Sequence, residues 1–317
     1  MSKRPQTNEL AICTKGLAKA YSGFHAVSGI NLTVPSGSIY GFLGRNGAGK
    51  TTTIKMLLGL VRPTSGSALV LGMDSLDERI AILQRTAFVS EKKTLYPALT
   101  ASELVRFSRG FYPTWSDTAV QKYSQLFEIP MKQRFEQLSN GNQTKVWLLL
   151  ALCQGADLLI LDEPTTALDP ITVDQLMHVL ANDALSRGCT IFFSSHQLEE
   201  VERIAECAGL IDHGRLLMET RLSDIKNKFR LITVTGSYLP AETSTQVLSV
   251  DVEENFYRYI VTRDAEDFAA GLSRNGAIVR SIATVGLREI FLRLVRREQS
   301  CTSGNVGETH VPSSSRF

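Results

Sequence analysis

Residues 38–60 read SIYGFLGRNGAGKTTTIKMLLGL, and this stretch decides the fold. Its first seven letters form a short apolar run that predicts a buried strand, and TTTIKMLLGL predicts the helix that follows. Between them, GRNGAGKT (44–51) matches the pattern G-x-x-x-x-G-K-[ST]. In a strand–loop–helix context this pattern indicates a phosphate-binding loop rather than a glycine-rich structural turn. The stretch therefore predicts an α/β fold with a phosphate site.

The loop offers several groups to a phosphate. Three glycines, Gly44, Gly47 and Gly49, let backbone N–H groups turn inward, and the helix N-terminus adds partial positive charge. Lys50 is predicted to reach the β- and γ-phosphates, and the Thr51 hydroxyl to ligate Mg²⁺. The other loop residues predicted to contact the nucleotide are Arg45, Asn46 and Ala48.

Residues 158–163, LLILDE, form the second chemical motif. Four apolar residues predict a central strand, and Asp162 and Glu163 stand at its C-terminal end, where α/β sheets bind ligands. We expect this strand end beside the phosphate loop rather than in bulk solvent. Asp162 is then predicted to hold Mg²⁺ through water, and Glu163 to polarise the attacking water as general base. The two motifs together indicate a nucleoside triphosphatase.

Two further side chains suit a nucleotide, each with a plain structural alternative. His196 ends SSH (194–196), one predicted strand after the acidic pair, a position that favours contact with a γ-phosphate over a structural role. Tyr21 lies 29 residues before Lys50 and could stack on a purine, although a core or surface tyrosine explains it equally well.

Composition limits the class of protein. The chain has 317 residues, 43% of them apolar, enough for a large domain and a small one. A net charge of +2 without long like-charge runs argues against nucleic acid as a partner. The start lacks a secretory signal, and the strongest apolar run, residues 146–153, is too short to span a bilayer. We expect a soluble or peripheral protein in a reducing cytosol, with its five cysteines as small buried hydrophobes; a metal or redox role is the alternative.

The order of segments predicts three regions. Alternating strands and helices over residues 38–220 indicate a mainly parallel sheet, beside an antiparallel layer from the first 37 residues and SALVLG (67–72). Residues 92–137 predict a helical insertion, with Thr100 and Glu103 as a capping box at one helix start and Ser116 as the N-cap of another. Its aromatic residues form either a small core or a partner-binding surface. Strand and helix patterns over residues 231–298 predict a small α+β domain, and residues 299–317 a disordered tail.

The order of motifs resembles the nucleotide-binding subunit of ATP-binding cassette (ABC) transporters. The match covers residues 10–220 and consists of Tyr21, GRNGAGKT, a loop near Glu91, LSNGN (138–142), LLILDEP, ALDP (167–170) and SSH. It implies a P-loop NTPase cassette over residues 1–222 with a helical subdomain at about 92–150, followed by the accessory domain at 223–298.

The resemblance also implies a mechanism. Two cassettes, as a homodimer or with a similar chain, bind ATP and Mg²⁺ head to tail, and hydrolysis drives a separate membrane permease. The subunit is then cytoplasmic and peripheral on the cytoplasmic face of the membrane. The roles carried over are adenine stacking by Tyr21, phosphate and Mg²⁺ binding by Lys50, Thr51, Thr52 and Asp162, contact with the partner's γ-phosphate by Ser139 and Gly141, bridging of the subunits by Asp169, and γ-phosphate sensing by His196.

Two positions depart from the family pattern. Glu91, 41 residues after Lys50, stands where the family has Gln; it can still bind Mg²⁺ or water, but as a charged group. LSNGN replaces Leu-Ser-Gly-Gly-Gln. Ser139 and Gly141, the residues predicted to lie nearest phosphate, remain, and Asn140 replaces a glycine as a residue that tolerates left-handed backbone. The run also resembles the branch with separate cassettes and small C-terminal domains that drives export of antibiotics, drugs, lipids or polysaccharides.

Two alternatives stand beside an exporter subunit. A soluble ABC ATPase acting on ribosomes or DNA usually carries two cassettes or a long coiled-coil insertion, and this chain shows neither. A nucleotide-binding regulator without turnover is disfavoured because Glu163 and His196 are both present.

Overall fold

The computed structural model describes residues 10–92, 96–236, 246–253 and 256–303. The chain divides into two compact units, one ending at Leu222 and the other beginning at Ser223. The strands of the first unit are β1 (Leu10–Tyr21), β2 (Phe24–Ile30), β3 (Thr33–Pro35), β4 (Ile39–Gly44), β5 (Ser65–Val70), β6 (Met73–Asp74), β7 (Thr86–Val89), β8 (Leu158–Asp162), β9 (Thr190–Ser195), β10 (Cys207–Asp212) and β11 (Arg215–Arg221). Its helices are α1 (Lys50–Leu57), α2 (Arg79–Arg85), α3 (Ala101–Arg109), α4 (Asp117–Leu126), α5 (Asn140–Cys153), α6 (Pro170–His178) and α7 (Leu198–Ile204), with a 3₁₀ turn at Phe135–Gln137 and a π-helical segment at Val179–Ala184.

A mainly parallel sheet forms the centre of this unit, in the order β11-β10-β4-β9-β8-β7. Only β11 is antiparallel to its neighbour among these strands. The strands β4, β8, β9 and β10 are buried along their whole length, as parallel strands covered on both faces require. Because β9 lies between β4 and β8, the acidic strand reaches the phosphate loop across one intervening strand.

The predicted antiparallel layer is confirmed. Its strands pair in the order β2-β1-β5-β6, and β3 pairs with β1. One apolar core joins this layer to helix α1 and to the central sheet, through residues such as Ile12, Val70, Ile54 and Phe42. This core fixes the phosphate loop between two sheets.

The predicted helical insertion is also confirmed, and both of its predicted helix starts have the expected caps. The Glu103 N–H donates to the Thr100 hydroxyl at 3.2 Å, and the Thr100 N–H donates to the Glu103 carboxylate at 2.8 Å, which completes a capping box for α3. The Ala119 N–H donates to the Ser116 hydroxyl at the start of α4.

The aromatic residues of the insertion divide between core and surface. Tyr123, Phe127 and Phe135 are buried. Tyr96, Phe107 and Phe111 are exposed, and their rings touch in sequence, with centroid distances of 5.4 and 5.1 Å. We call these last three residues the exposed ring cluster. The prediction of a small core is therefore confirmed for the three buried residues, and the partner-binding surface stays a prediction for the exposed ring cluster.

The second unit is a small α+β structure. Its elements are α8 (Leu222–Lys228), which begins at the last residue of the first unit, β12 (Arg230–Thr235), β13 (Val247–Glu253), β14 (Phe256–Val261), α9 (Ala265–Arg274), β15 (Ile278–Thr284) and α10 (Leu287–Ser303). The strands form an antiparallel sheet in the order β13-β14-β12-β15, and α9 packs its apolar face on it around Tyr259.

The last helix is longer than predicted. The disordered tail was expected from residue 299, but α10 continues to Ser303, so that prediction is wrong for residues 299–303. The physical reason is the absence of a helix-breaking residue before Gly304, the first glycine after Leu287. Residues 304–317 lie outside the described ranges. Among the helices that the structure describes, none combines the length and hydrophobicity needed to span a bilayer.

Candidate active site

The phosphate loop connects β4 to α1, and two of its glycines, Gly47 and Gly49, have left-handed backbone. Gly49 has φ 108°, and a Cβ there would lie 2.5 Å from the carbonyl oxygen of Ala26, so both conformation and space require glycine. Gly49 is also the N-cap of α1 and provides no side-chain cap. The first N–H groups of α1 are therefore left for an anion, as the sequence motif predicts.

Lys50 is almost fully buried and already surrounded by oxygen atoms. Its Nζ donates to the carbonyl oxygens of Gly44 at 2.6 Å and Arg45 at 3.1 Å. The same Nζ lies 3.0 Å from Glu163 Oε1, and both side chains are less than 10% exposed. The motif predicts the position of Lys50, but not its ion pair with the predicted general base.

Asp162 lies at the end of β8 with no exposed surface. Thr51 donates from its hydroxyl to one carboxylate oxygen of Asp162 at 2.8 Å, and Ser194 donates to the other at 2.7 Å. Burial raises the pKa of the Asp162 carboxyl, and these two hydrogen bonds oppose that rise; the nearby carboxylates of Glu91 and Glu163 add to it.

Glu163 is held in a backbone conformation that is rare for its type. Its φ is +50°, in the left-handed region that favours glycine. The Nδ1 atom of His196 lies 2.7 Å from Glu163 Oε2, while Lys50 faces Oε1. Each oxygen of this carboxylate therefore has a basic neighbour.

Lys50, Glu163 and His196 line one cavity of about 170 Å³. The predicted site residues that line it are Arg45, Asn46, Gly47, Lys50, Thr51, Glu91, Glu163 and His196. Thr166 lines it as well and was not predicted, because nothing in its local sequence distinguishes it from Thr165. The predicted residues that do not line it are Tyr21, Gly44, Ala48, Gly49, Thr52, Ser139, Gly141, Asp162 and Asp169.

The oxygen donors around the cavity fit Mg²⁺. Thr51 offers a hydroxyl, Asp162 a buried carboxylate and Glu91 a second carboxylate, and Mg²⁺ prefers oxygen ligands. Within the described ranges, no group of three or more His, Cys, Asp or Glu side chains could hold a metal ion by itself. This is the donor set expected where phosphate oxygens and water complete the coordination.

Tyr21 ends β1 with its ring half exposed. Lys19 Nζ lies 5.0 Å from the ring centroid and donates to the carbonyl oxygen of Arg62 at 2.9 Å. The cation covers one face of the ring. The other face of the ring is the one we consider for stacking on a purine.

The segment LSNGN opens helix α5. The hydroxyl of Ser139 accepts from the N–H of Asn142 at 3.3 Å and is the N-cap. Asn140 is the first helical residue and does not have left-handed backbone, so our reason for its replacing glycine is wrong. Its side chain is exposed, and its helical backbone conformation is open to any residue type except proline in later turns.

Gly141 has a structural reason to be glycine that the sequence did not reveal. A Cβ there would lie 2.8 Å from the carbonyl oxygen of Ala167, in the turn before α6. Asp169 in the same turn caps α6 by accepting from the Thr172 N–H at 2.9 Å and from the Thr172 hydroxyl at 2.7 Å. These hydrogen bonds lower the pKa of Asp169.

Comparison with known proteins places this geometry among transport ATPases. The family described as ABC transporter matches residues 27–166, and one described as AAA domain, putative AbiEii toxin, Type IV TA system matches residues 131–202. A bacitracin transport ATP-binding protein of Bacillus licheniformis is 35% identical over 248 residues, covering 78% of this chain and 79% of the relative. The bacitracin transport ATP-binding protein of Enterococcus faecalis is 31% identical over 90% of this chain and 97% of its own length.

Further relatives and solved structures agree. A daunorubicin/doxorubicin resistance ATP-binding protein of Streptomyces peucetius is 34% identical over 68% of this chain and 67% of the relative. A solved ATP-binding subunit of an ABC transporter superposes with a TM-score of 0.63 at 27% identity, covering 69% of this chain and 92% of that one. A dimeric bacterial ABC transporter cassette shares the fold, with a TM-score of 0.61 at 24% identity over 67% of this chain and 98% of its own.

Proposed function

The chain belongs to the ATP-binding subunits of ABC transporters, and from that premise we propose that it powers a separate membrane permease that exports an antibiotic, drug, lipid or polysaccharide. One observation carries the site assignment: Lys50, Glu163 and His196 meet in a single cavity at the phosphate loop. The export branch is supported by the bacitracin and daunorubicin/doxorubicin names of the relatives.

The chemistry we assign is hydrolysis of ATP at its γ-phosphate. The phosphate loop, Lys50, Thr51 and Thr52 bind the phosphates, and Tyr21 stacks on the adenine. Thr51, Asp162 and Glu91 would hold Mg²⁺, which would neutralise charge on the phosphate oxygens. Glu163 accepts a proton from the attacking water, and His196 orients Glu163 while it faces the γ-phosphate.

We assign the second half of each site to another cassette chain. In a homodimer, Ser139 and Gly141 of each copy face the nucleotide that the other copy holds, and Asp169 contacts the other subunit. The start of α5 suits this role because a helix N-terminus attracts anions. The side chain of Asp169 is more than half exposed, so it is accessible to a partner.

The exposed ring cluster is the surface we assign to the permease. Tyr96, Phe107 and Phe111 present three touching rings to solvent on the helical insertion. Aromatic residues are enriched at protein interfaces, and contiguous exposed apolar surface marks binding sites. We assign the subunit to the cytoplasmic face of the membrane, where ATP is available.

Affinity purification of the tagged protein from its native membranes tests the function. An integral membrane protein should co-purify, and its addition should change the ATPase rate. Recovery of ribosomes or nucleic acid alone would favour a soluble ABC ATPase instead. If purified protein and partner together hydrolyse no ATP, the assignment of an active site fails.

A further inference from the structure

Ser194 lies buried at the end of β9, and its hydroxyl group joins two residues of the active site. Ser194 Oγ donates to Asp162 Oδ1 at 2.7 Å and accepts from the backbone N–H of Glu163 at 3.0 Å. The residue has no exposed surface and does not line the nucleotide cavity. It therefore contacts the two acidic residues without reaching the substrate.

The first contact fixes the plane of a carboxylate. Ser194 and Asp162 are paired in the parallel ladder between β9 and β8, so their side chains lie on the same face of the sheet. Thr51 takes the other oxygen of Asp162. A buried carboxylate needs such partners, and two hydroxyl donors on different oxygens leave it one orientation.

The second contact fixes a strained backbone. The left-handed conformation of Glu163 persists only where the surrounding structure imposes it. The hydrogen bond from the Glu163 N–H to Ser194 is one such constraint. Because the conformation of the backbone sets the direction of the side chain, this bond also helps aim the carboxylate that faces Lys50 and His196.

We propose that Ser194 is a positioning residue for ATP hydrolysis: it orients Asp162 toward Mg²⁺ and Glu163 toward the γ-phosphate. The proposal rests on the roles assigned above to those two acids. It predicts that losing the hydroxyl weakens the contribution of Mg²⁺ to nucleotide binding and leaves metal-free binding intact.

Ser195 provides a matched control. It is the next residue of β9, equally buried, and its hydroxyl donates to Glu200 Oε2 at 2.6 Å and accepts from the Gln197 N–H at 2.9 Å. Ser195→Ala therefore removes a buried hydroxyl with the same kinds of partner. It reports what this loss does to the fold alone.

The test compares binding of a non-hydrolysable ATP analogue, AMP-PNP, in Mg²⁺ and in EDTA by isothermal titration calorimetry. In the wild-type protein, Mg²⁺ should tighten binding. Ser194→Ala should reduce that gain about tenfold, the effect of leaving one buried polar group unpaired, with the EDTA value unchanged. Ser194→Cys, which fills similar space with a weaker donor, should fall between, and Ser195→Ala should keep the gain.

The possible results distinguish a failure of the Ser194 role from a failure of the proposed Mg²⁺ site. If the wild-type protein shows no Mg²⁺ gain, the metal roles of Thr51 and Asp162 fail. If the wild-type gain is present and Ser194→Ala keeps it, or Ser195→Ala loses as much, the positioning role is overturned. Thermal unfolding without nucleotide identifies folded variants. Should the alanine variant not fold, a full Mg²⁺ gain in Ser194→Cys overturns the proposal, and a reduced gain at unchanged Tm supports it.

Discussion

A Cβ atom at Gly141 would lie 2.8 Å from the carbonyl oxygen of Ala167. The start of α5 therefore touches the turn between Glu163 and Asp169 within one chain. Lys145, one turn further along α5, has its Nζ 3.9 Å from the Asp169 carboxylate. The segment assigned to the partner's nucleotide is thus in contact with the segment that follows Glu163, the proposed general base.

Gly141→Ala should lower both stability and ATPase activity. The methyl group meets backbone, which cannot rotate away, and such overpacking costs about 1–3 kcal/mol. Thermal unfolding and a steady-state ATPase assay measure the two effects. Gly271→Ala is the control: Gly271 lies in α9, and a Cβ there meets nothing within 4 Å. That change should leave stability equal or slightly higher, because alanine favours helix. Equal behaviour of the two variants would contradict the contact with Ala167.

Ser139 has a capping role and a proposed phosphate role, which two substitutions separate. Ser139→Ala should lose about 1 kcal/mol of stability through the cap, and activity as well. Ser139→Asp keeps a good N-cap but sets a negative charge against the partner's phosphate, so it should stay stable and lose activity. Thermal unfolding measures the stability of each variant, and a steady-state assay measures its ATPase rate. An aspartate variant with wild-type activity would mean that LSNGN does not contact nucleotide.

Glu163→Gln should abolish turnover and trap a nucleotide-bound dimer. Removing a general base typically lowers the rate by about 10²–10⁴-fold. Size-exclusion chromatography with ATP should show the dimer, and a phosphate-release assay the lost activity. Glu199→Gln makes the same chemical change at an exposed position in the first turn of α7 and should hydrolyse ATP normally. Steady hydrolysis by Glu163→Gln at the wild-type rate would remove Glu163 from the mechanism.

The exposed ring cluster should contribute to permease binding. Replacing Phe107 and Phe111 by alanine removes two touching rings, and we expect association with the permease to weaken about tenfold or more, as at other aromatic interface anchors. Co-purification and surface plasmon resonance measure the affinity of each variant for the permease. Ile80→Ala, at an exposed apolar residue of α2, is the control and should bind normally. Unchanged binding in both would place the permease elsewhere.

Cys153 and Cys189 should behave as inert core residues. Burial raises the pKa of each thiol to about 12, so at pH 8 only roughly one in ten thousand is a thiolate. Iodoacetamide should leave both unmodified in the folded protein and label both after unfolding, as peptide mass spectrometry shows; partly exposed Cys13 is the internal comparison. Because the folded pKa exceeds the unfolded value, these thiols contribute stability fully below about pH 8.5, and that contribution declines as the pH rises toward 12. Rapid labelling of the folded protein at either thiol would contradict this.

The sequence predicts those parts of the site whose signal lies within one short segment. The phosphate loop, the acidic strand and the capping box at Thr100 each combine periodicity with a few residues in a row, and their elements form where expected. Contacts between distant segments are different. The bond of Ser194 to Asp162 depends on β9 lying beside β8, and crossover connections, not chain order, decide which strands are neighbours.

The errors have the same origin. The prediction of left-handed backbone for Asn140 is wrong because helix α5 already begins at this residue. The approach of Gly141 to phosphate stays a prediction, but the sequence did not reveal its close neighbour within the chain, a carbonyl oxygen 26 residues away. Thr166 shares the cavity only because the turn after β8 folds back toward it.

The ion pair between Lys50 and Glu163 makes nucleotide entry an exchange reaction. The ammonium group of Lys50 lies 3.0 Å from the Glu163 carboxylate, so a phosphate that approaches Lys50 competes with the protein's own anion. Each successful exchange releases Glu163 at the moment when a γ-phosphate is present to be attacked. The carboxylate that competes with phosphate for Lys50 is thus also the one to which we assign proton abstraction from water.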